Sequence, residues 1–368
     1  MSNPKRYLAL DVFRGITIAT MITVNNPGSW KYVYAPLRHA AWDGCTPTDL
    51  VFPFFLFIVG VSMFFSFSKY EYRLDGRTLL KILKRTLLIF VIGLFLNSFP
   101  QWQQDWSRLR IMGVLQRIAL AYGIGSVIVL SARRNLLPYV SAVILMGYWA
   151  IIHFAGGADP YSLEGNAVIP VDRFLFGESH MYKGYGIPFD PEGLLSTIPA
   201  IATVIIGYLA GSFIAGSEKS ALPVKFLVAG AAGIGAGLLW GLVFPINKPV
   251  WSSSYVLYTA GWAAVFMAVL IWVIDLRGWK GWTPFFVVFG MNPLFIYALA
   301  GIWARVLTRL IKIGEGESVV TGYNWLFQNV FQPVAGNMNG SLLFALSHIV
   351  VYWLICYILY KKRIFIKV

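Results

Sequence analysis

Hydrophobic positions in this chain neither alternate nor recur every third or fourth residue. They gather into runs of about twenty, separated by short polar clusters: 7–27, 50–68, 79–97, 111–130, 137–155, 194–214, 224–244, 255–274, 284–302 and 341–360. Each run approaches the roughly 17 to 25 residues that a helix needs to cross a bilayer. A backbone in hydrocarbon must satisfy its own hydrogen bonds, so spans of this length are expected to be helices. The pattern predicts an all-α, polytopic membrane bundle of about ten transmembrane helices forming one domain over 1–368. Three connections stand out by length, 28–48, 156–193 and 303–340, and all three fall on the same side.

Composition agrees. The chain is 58% hydrophobic, 16% aromatic and 12% charged, with mean hydropathy +0.66, too little polar surface to cover a soluble globule. The net charge of +14 would suggest nucleic acid in a soluble protein, but in a membrane protein the placement of Lys and Arg reports orientation first. With both termini in the cytoplasm, most basic residues lie inside: Lys5, Arg6, the cluster from Lys69 to Arg85, Arg133, Arg134, Lys219, Lys225, Arg277, Lys280 and the tail from Lys361 to Lys367. The three long loops are then on the outer, periplasmic side of an inner membrane. Asp11 and Arg14 interrupt the first run where a cleavable signal would be uninterrupted, so that run is expected to stay as the first helix. Cys45 and Cys356 fall at opposite ends of the bundle, and no disulfide is expected.

Polar groups at the edges of apolar runs carry the candidate chemistry. Asp11 and Arg14 share one helical face at i and i+3 and can neutralise each other. Arg110 needs a partner from another helix, and Asp49 is a candidate. Gln116 and Arg117 lie one to two turns deeper. His39, in an outer loop rich in aromatics, suits proton transfer near neutrality, with Asp49 or Asp43 to orient it. His153, His180 and His348 follow no metal-binding spacing, and no metal is expected. "VNNPG" and "GMNPLF" each set Asn-Pro beside glycine and read either as plain helix ends or as breaks facing a cavity. The glycine-rich stretch 228–241 reads as close helix packing. No Walker A, GxSxG or Rossmann pattern occurs.

In order along residues 8–297, the blocks "LDVFRG", "VNN", "HAAWDGCTPTDLVFPFFLFIVG", "GVLQRI", "VDRFLFG", "DPEGLLSTIPAI", "NKPVWSSSYVLYTAG" and "TPFFVVFGMNPLFIY" resemble the membrane-bound heparan-α-glucosaminide N-acetyltransferases and their bacterial relatives. The resemblance implies transfer of acetyl from cytoplasmic acetyl-CoA to the amine of a glucosamine-type sugar or glycan end across the membrane. It implies His39 as the active-site histidine and Asn25 as the asparagine preceding it; beside them Asp49 is read, from the residues alone, as a helper or structural anchor. Candidate coenzyme contacts are Asp11, Arg14, Gln116, Arg117 and Asn292. Candidate acceptor contacts are Trp42, Asp43, His180 and Trp251. Membrane lipids and a second copy of the chain are the other expected partners, and nucleic acid is not. A transporter of sugars or small metabolites, or an inactive amino-sugar sensor on the same fold, are the competing readings; the first would show an inverted repeat between helices 1–5 and 6–10, and none is evident.

Overall fold

A computed structural model describes residues 7–316 and 319–366; Lys5, Arg6 and Lys367 of the expected inner-side charge lie outside these. Helices α1 (Leu8–Asn25), α2 (Val51–Phe67), α3 (Gly76–Ser98), α4 (Val114–Ser131) and α5 (Leu137–Ala155) come first. The short α6 (Val168–Phe176) lies in the long loop before α7 (Thr197–Ala215). Then follow α8 (Leu222–Gly241), α9 (Ser253–Leu270), α10 (Thr283–Met291), α11 (Pro293–Arg305), α12 (Gly322–Leu326) and α13 (Gln332–Lys361). All ten expected spans are helical. Among the described residues nine helices are long and apolar enough to cross a membrane. The one expected span not among them, the third, is α3: it has the length at 23 residues, but its first three turns carry Arg77, Lys81, Lys84 and Arg85.

Two expectations need correction. The ninth span is not one helix over 284–302: it breaks at Asn292, where the backbone turns to φ −132°, ψ 52° ahead of Pro293. Proline withholds a donor and pushes its predecessor out of the helical region. The same conformation, φ −131°, ψ 51°, occurs at Asn26 before Pro27, but there it simply ends α1. At the α10–α11 break the Asn292 side chain is fully buried and is held by the C-terminal tail: Nδ2 donates to the Ile364 carbonyl at 3.2 Å, and Ile366 N–H donates to Oδ1 at 2.7 Å. The segment 303–340, expected as a loop, is largely helical. It continues α11 to Leu310, makes the two-residue antiparallel pair β1 (Lys312–Ile313) and β2 (Val320–Thr321), and re-enters helix from Gly322, with a kink at Gly336 (φ +73°). Its Asn, Gln and Gly lower hydropathy without preventing helix formation.

Small residues set the closest helix approaches, as van der Waals packing in lipid requires. A Cβ on Gly15 of α1 would stand 1.8 Å from the Phe286 carbonyl oxygen of α10, and one on Gly290 would stand 2.5 Å from the Asp11 carbonyl. The glycine-rich α8 packs on α9, where Gly230 and Gly261 face each other's backbones. Counting from the start of α1, every odd crossing ends and every even crossing begins at the end of the bundle that carries His39. Asn25, the first residues of α4, α7 and α9, and the last turns of α3 and α11 therefore meet there.

Candidate active site

The centre starts with a local motif. Thr46-Pro47-Thr48-Asp49 forms a single helical turn before α2, with Thr46 and Asp49 capping each other. Asp49 is 1% exposed, and its Oδ2 accepts from Ala40 N–H, Thr46 N–H and Thr46 Oγ1, each at 3.0 Å. Its Oδ1 faces His39 Nδ1 at 2.6 Å. The carboxylate thus holds the 39–46 loop in place and aims the imidazole, which is 42% exposed.

A third group completes the cluster. Lys248 Nζ lies 2.9 Å from His39 Nδ1 and 3.3 Å from Asp49 Oδ1. It is delivered by the turn between α8 and α9, whose edge is zipped to the histidine loop: Gly44 N–H donates to the Ile246 carbonyl at 2.7 Å, and Asn247 Nδ2 donates to Asp43 Oδ1 at 3.1 Å. Tyr255 OH donates to the Asp49 carbonyl, tying the start of α9 to the same turn. Burial pushes the Lys248 ammonium below its ordinary pKa, although Asp49 opposes the shift. Burial, reinforced by Asp49, pushes the Cys45 thiol up to about 12. Cys45 is therefore a thiol rather than a thiolate near neutrality and no nucleophile.

One cavity adjoins the cluster, and a second shares part of its wall. The first, about 150 Å³, has His39, Lys248 and Glu192 at its mouth and runs along Thr17, Ile18, Phe55 and Ile118 to Pro293 and Leu294, beside the α10–α11 break. Its walls are mostly apolar and suit an uncharged, flexible arm. The second, about 220 Å³, lies between α1, α3, α4 and α11 and is more polar than the first, with Asn26, Asn97, Gln116 and Arg305 in its lining. Met21, Asn25, Val114, Leu115 and Tyr297 line both. Asn25 is thus on the shared wall, as is Tyr297, which nothing in the sequence singled out.

Other candidate residues fall elsewhere. Arg110 does not pair with Asp49; it makes a bidentate pair with Asp190 at 2.7 and 2.9 Å and reaches Glu192 at 2.5 Å, all from the 156–193 loop. Arg117 is fully buried, stacked over Trp251 at 4.9 Å and hydrogen-bonded to Ser196 and Thr197. Trp251 is also fully buried, with Nε1 donating to Thr203, because its left-handed backbone (φ +52°) turns the indole inward. Trp42 donates to the Tyr161 carbonyl and packs on Tyr185 and Phe189, joining two long loops. His180 clamps the 104–111 segment through Leu109 and Ile111. Asp11 and Arg14 pair at 3.7 Å, and Arg14 also reaches Ser62 and the Gly290 carbonyl, at the opposite end of α1 from Asn25. Sequence reasoning missed Lys248, Glu192, Asn97, Tyr297 and Arg305. The "NKPVW" block around Lys248 was noticed, but no spacing rule linked its lysine to a histidine 209 residues away.

Fold and site together define an integral membrane protein of the helical-bundle class with a His–Asp–Lys centre at one mouth. The family profile described as "Heparan-alpha-glucosaminide N-acetyltransferase, catalytic" matches residues 6–236. The chain belongs to that family. It is 28% identical over 424 aligned positions to the human protein named heparan-alpha-glucosaminide N-acetyltransferase, covering 99% of this chain and 60% of that one. The mouse protein of the same name is 26% identical, covering 100% of this chain and 61% of its own length. The chain thus spans about 60% of the length of these curated relatives. The profile match includes His39 and Asp49 and ends before Lys248.

Proposed function

We propose that the protein is a membrane acetyltransferase that moves acetyl from acetyl-CoA to the amine of a glucosamine-type sugar at the His39 end of the bundle. The observation that carries the reading is the buried Asp49 aiming His39, with Lys248, at the mouth of an apolar cavity that runs to the α10–α11 break. The names of the human and mouse relatives support the reaction class.

In this scheme the thioester end of the pantetheine arm occupies the apolar cavity, and the charged adenosine phosphates stay at the far, basic end. Burying phosphate in lipid would be prohibitive. Asp11 and Arg14 stand at that end, and Asn292 lies where the arm would pass the break. With Nδ1–H donating to Asp49, His39 Nε2 keeps its lone pair and takes a proton from the sugar amine. The amine nitrogen attacks the thioester carbonyl carbon, the C–N bond forms and the C–S bond breaks. The imidazolium then returns its proton to the leaving thiolate. Asn25 donates to the carbonyl oxygen as negative charge builds on it, and Lys248 keeps the cluster polarised. A positioned base supplies roughly 10²–10⁴ in rate, and one oxyanion donor roughly 10²–10³. We assign both termini to the cytoplasm and the His39 loop to the outer side of the inner membrane, a reading that the distribution of basic residues supports.

The test is acetyl transfer from labelled acetyl-CoA to glucosamine and glucosamine-ended oligosaccharides by the purified protein in detergent, beside His39→Ala. Transfer should fall by about 10²–10⁴ in the variant while the yield of folded protein is kept. Near-normal turnover in His39→Ala would sink the assignment. The helix break also suits a transporter; failure of the unmutated protein to bind coenzyme A would favour that reading.

A further inference from the structure

Acetyl transfer to an amine needs a base, an acyl thioester and an amine at one point, and the chain already holds an amine there. Lys248 Nζ lies 3.5 Å from His39 Nε2, the atom assigned as the base, and 2.9 Å from Nδ1. Its side chain is 20% exposed, and it lines the mouth of the apolar cavity together with His39 and Glu192. A thioester drawn up to His39 through that cavity meets this amine as soon as it arrives. Among the described residues Lys31, Lys183 and Lys312, the lysines of segments 28–48, 156–193 and 303–340, line neither cavity.

Two features make this amine reactive as well as close. The turn between α8 and α9 is pinned to the histidine loop by the bonds from Gly44 to Ile246 and from Asn247 to Asp43, so the lysine is held beside the base. Positioning of that kind turns a bimolecular encounter into an effectively intramolecular one. Burial also favours the neutral amine over the ammonium, and only the neutral form carries the lone pair that attacks a carbonyl. Asp49 Oδ1, at 3.3 Å, pulls the other way by holding the charged form. The lysine is therefore a slower acceptor than a free sugar amine, and its reaction shows when the sugar is absent.

We propose that Lys248 is a self-acetylation site: with an acetyl thioester bound and no acceptor present, His39 directs the acetyl group onto Lys248 Nζ at the cavity mouth. The inference rests on the acetyltransferase reading and adds a modification site to it. The ammonium first releases one proton to water. The Nζ lone pair then attacks the thioester carbonyl carbon, the C–N bond forms, and the C–S bond breaks with its electron pair leaving on the coenzyme sulfur. His39 Nε2 takes a second proton from the nitrogen and returns it to the thiolate. The products are the Lys248 acetamide, the free coenzyme thiol and one proton. Unlike an acetyl-imidazole, this amide does not pass its acetyl group to a sugar. It sets an uncharged acetamide where the sugar amine must stand, so the modified chain is inactive and activity is tied to acceptor supply.

The experiment incubates the purified protein in detergent with acetyl-CoA labelled in the acetyl group and no sugar, beside His39→Ala and Lys248→Arg, and maps the label by peptide mass spectrometry. A parallel sample receives glucosamine. The expected result is acetylation of Lys248 at least about tenfold faster than of Lys31, Lys183 or Lys312, as an amide that survives hydroxylamine. The rate at Lys248 should fall by about 10²–10⁴ in His39→Ala, and the Lys248→Arg peptide should take up no label. Labelling of Lys248 no faster than of the other three lysines, or equally fast in His39→Ala, overturns the proposal as untargeted chemical acetylation. Label on His39 that hydroxylamine releases, with Lys248 bare, overturns it in favour of a covalent intermediate. Acetylated glucosamine in the parallel sample, with Lys248 unmodified in the sugar-free one, refutes self-acetylation and leaves the acetyltransferase reading intact. No label on protein or sugar overturns both. Fast labelling of Lys248 without sugar product supports the proposal and shows that glucosamine is the wrong acceptor.

Discussion

Replacing Lys248 with Met keeps the aliphatic stem and removes one charge 2.9 Å from the imidazole. An ammonium at that distance repels the positive charge that the proposed mechanism places on the imidazole as it takes the sugar proton, so its removal eases that step. With a water-like dielectric, apt for a histidine 42% exposed, the lost repulsion is about 332/(80 × 2.9), or ~1.4 kcal/mol, equivalent to about tenfold in rate. A lower effective dielectric enlarges it. The assay is kcat/KM for acetyl transfer at one fixed pH, with Lys248→Arg, which keeps a charge, beside it. Lys248→Met should raise kcat/KM by about tenfold, and Lys248→Arg should change it much less. Asp49 retains its bonds from His39, Ala40 and Thr46, so thermal unfolding should still show a folded protein. A kcat/KM in Lys248→Met that differs no more than in Lys248→Arg, or that falls, would refute an electrostatic link between Lys248 and the proposed base.

Two further substitutions test the frame. Gly15→Ala places a Cβ 1.8 Å from the Phe286 carbonyl and should lower stability in detergent by about 1–3 kcal/mol or more through overpacking. Gly235→Ala, in α8 with open space around it, should be neutral or stabilising by up to about 1 kcal/mol; equal effects in thermal melts would refute the packing account. Asp172 on α6 accepts from Leu194 and Leu195 N–H, while its Oδ2 is buried without a hydrogen-bond partner among the described residues. Burial raises its carboxyl pKa to about 6. The folded state then holds more protons than the unfolded one between about pH 4 and 6, so stability falls as pH rises through that window. Asp172→Asn should remove this component, and its melting-temperature advantage over the unmutated protein should be larger at pH 7 than at pH 4.5; a constant difference would disprove it.

The helical bundle was legible because a crossing helix needs a long apolar run, and the runs are nearly unbroken. The pairing of Asp11 with Arg14 was legible because both lie on one turn. His39 with Asp49 was a shorter inference than it looked, since Thr46 and Asp49 close a local turn that folds the intervening loop back on itself. Arg110 was matched to the wrong carboxylate because Asp190 and Glu192 arrive from a loop about 80 residues away, which hydropathy cannot orient. Trp251 was a candidate acceptor contact; it is fully buried, on a residue of left-handed backbone. Lys248 and Arg305 carry no motif, and only the meeting of loop ends and helix ends gives them meaning.

The zip between residues 43–44 and 246–247 sets an order of events in biosynthesis. His39 and Lys248 are 209 residues apart, and at about 5–20 residues per second the histidine loop leaves the ribosome about ten to forty seconds before its lysine. Through that interval Asp43 and Gly44 have no edge to join, and the loop closes only when the turn after α8 arrives. A nascent chain carrying every residue of the profile match still lacks Lys248. The His39–Asp49–Lys248 cluster can therefore close only after the first seven membrane crossings have been synthesised.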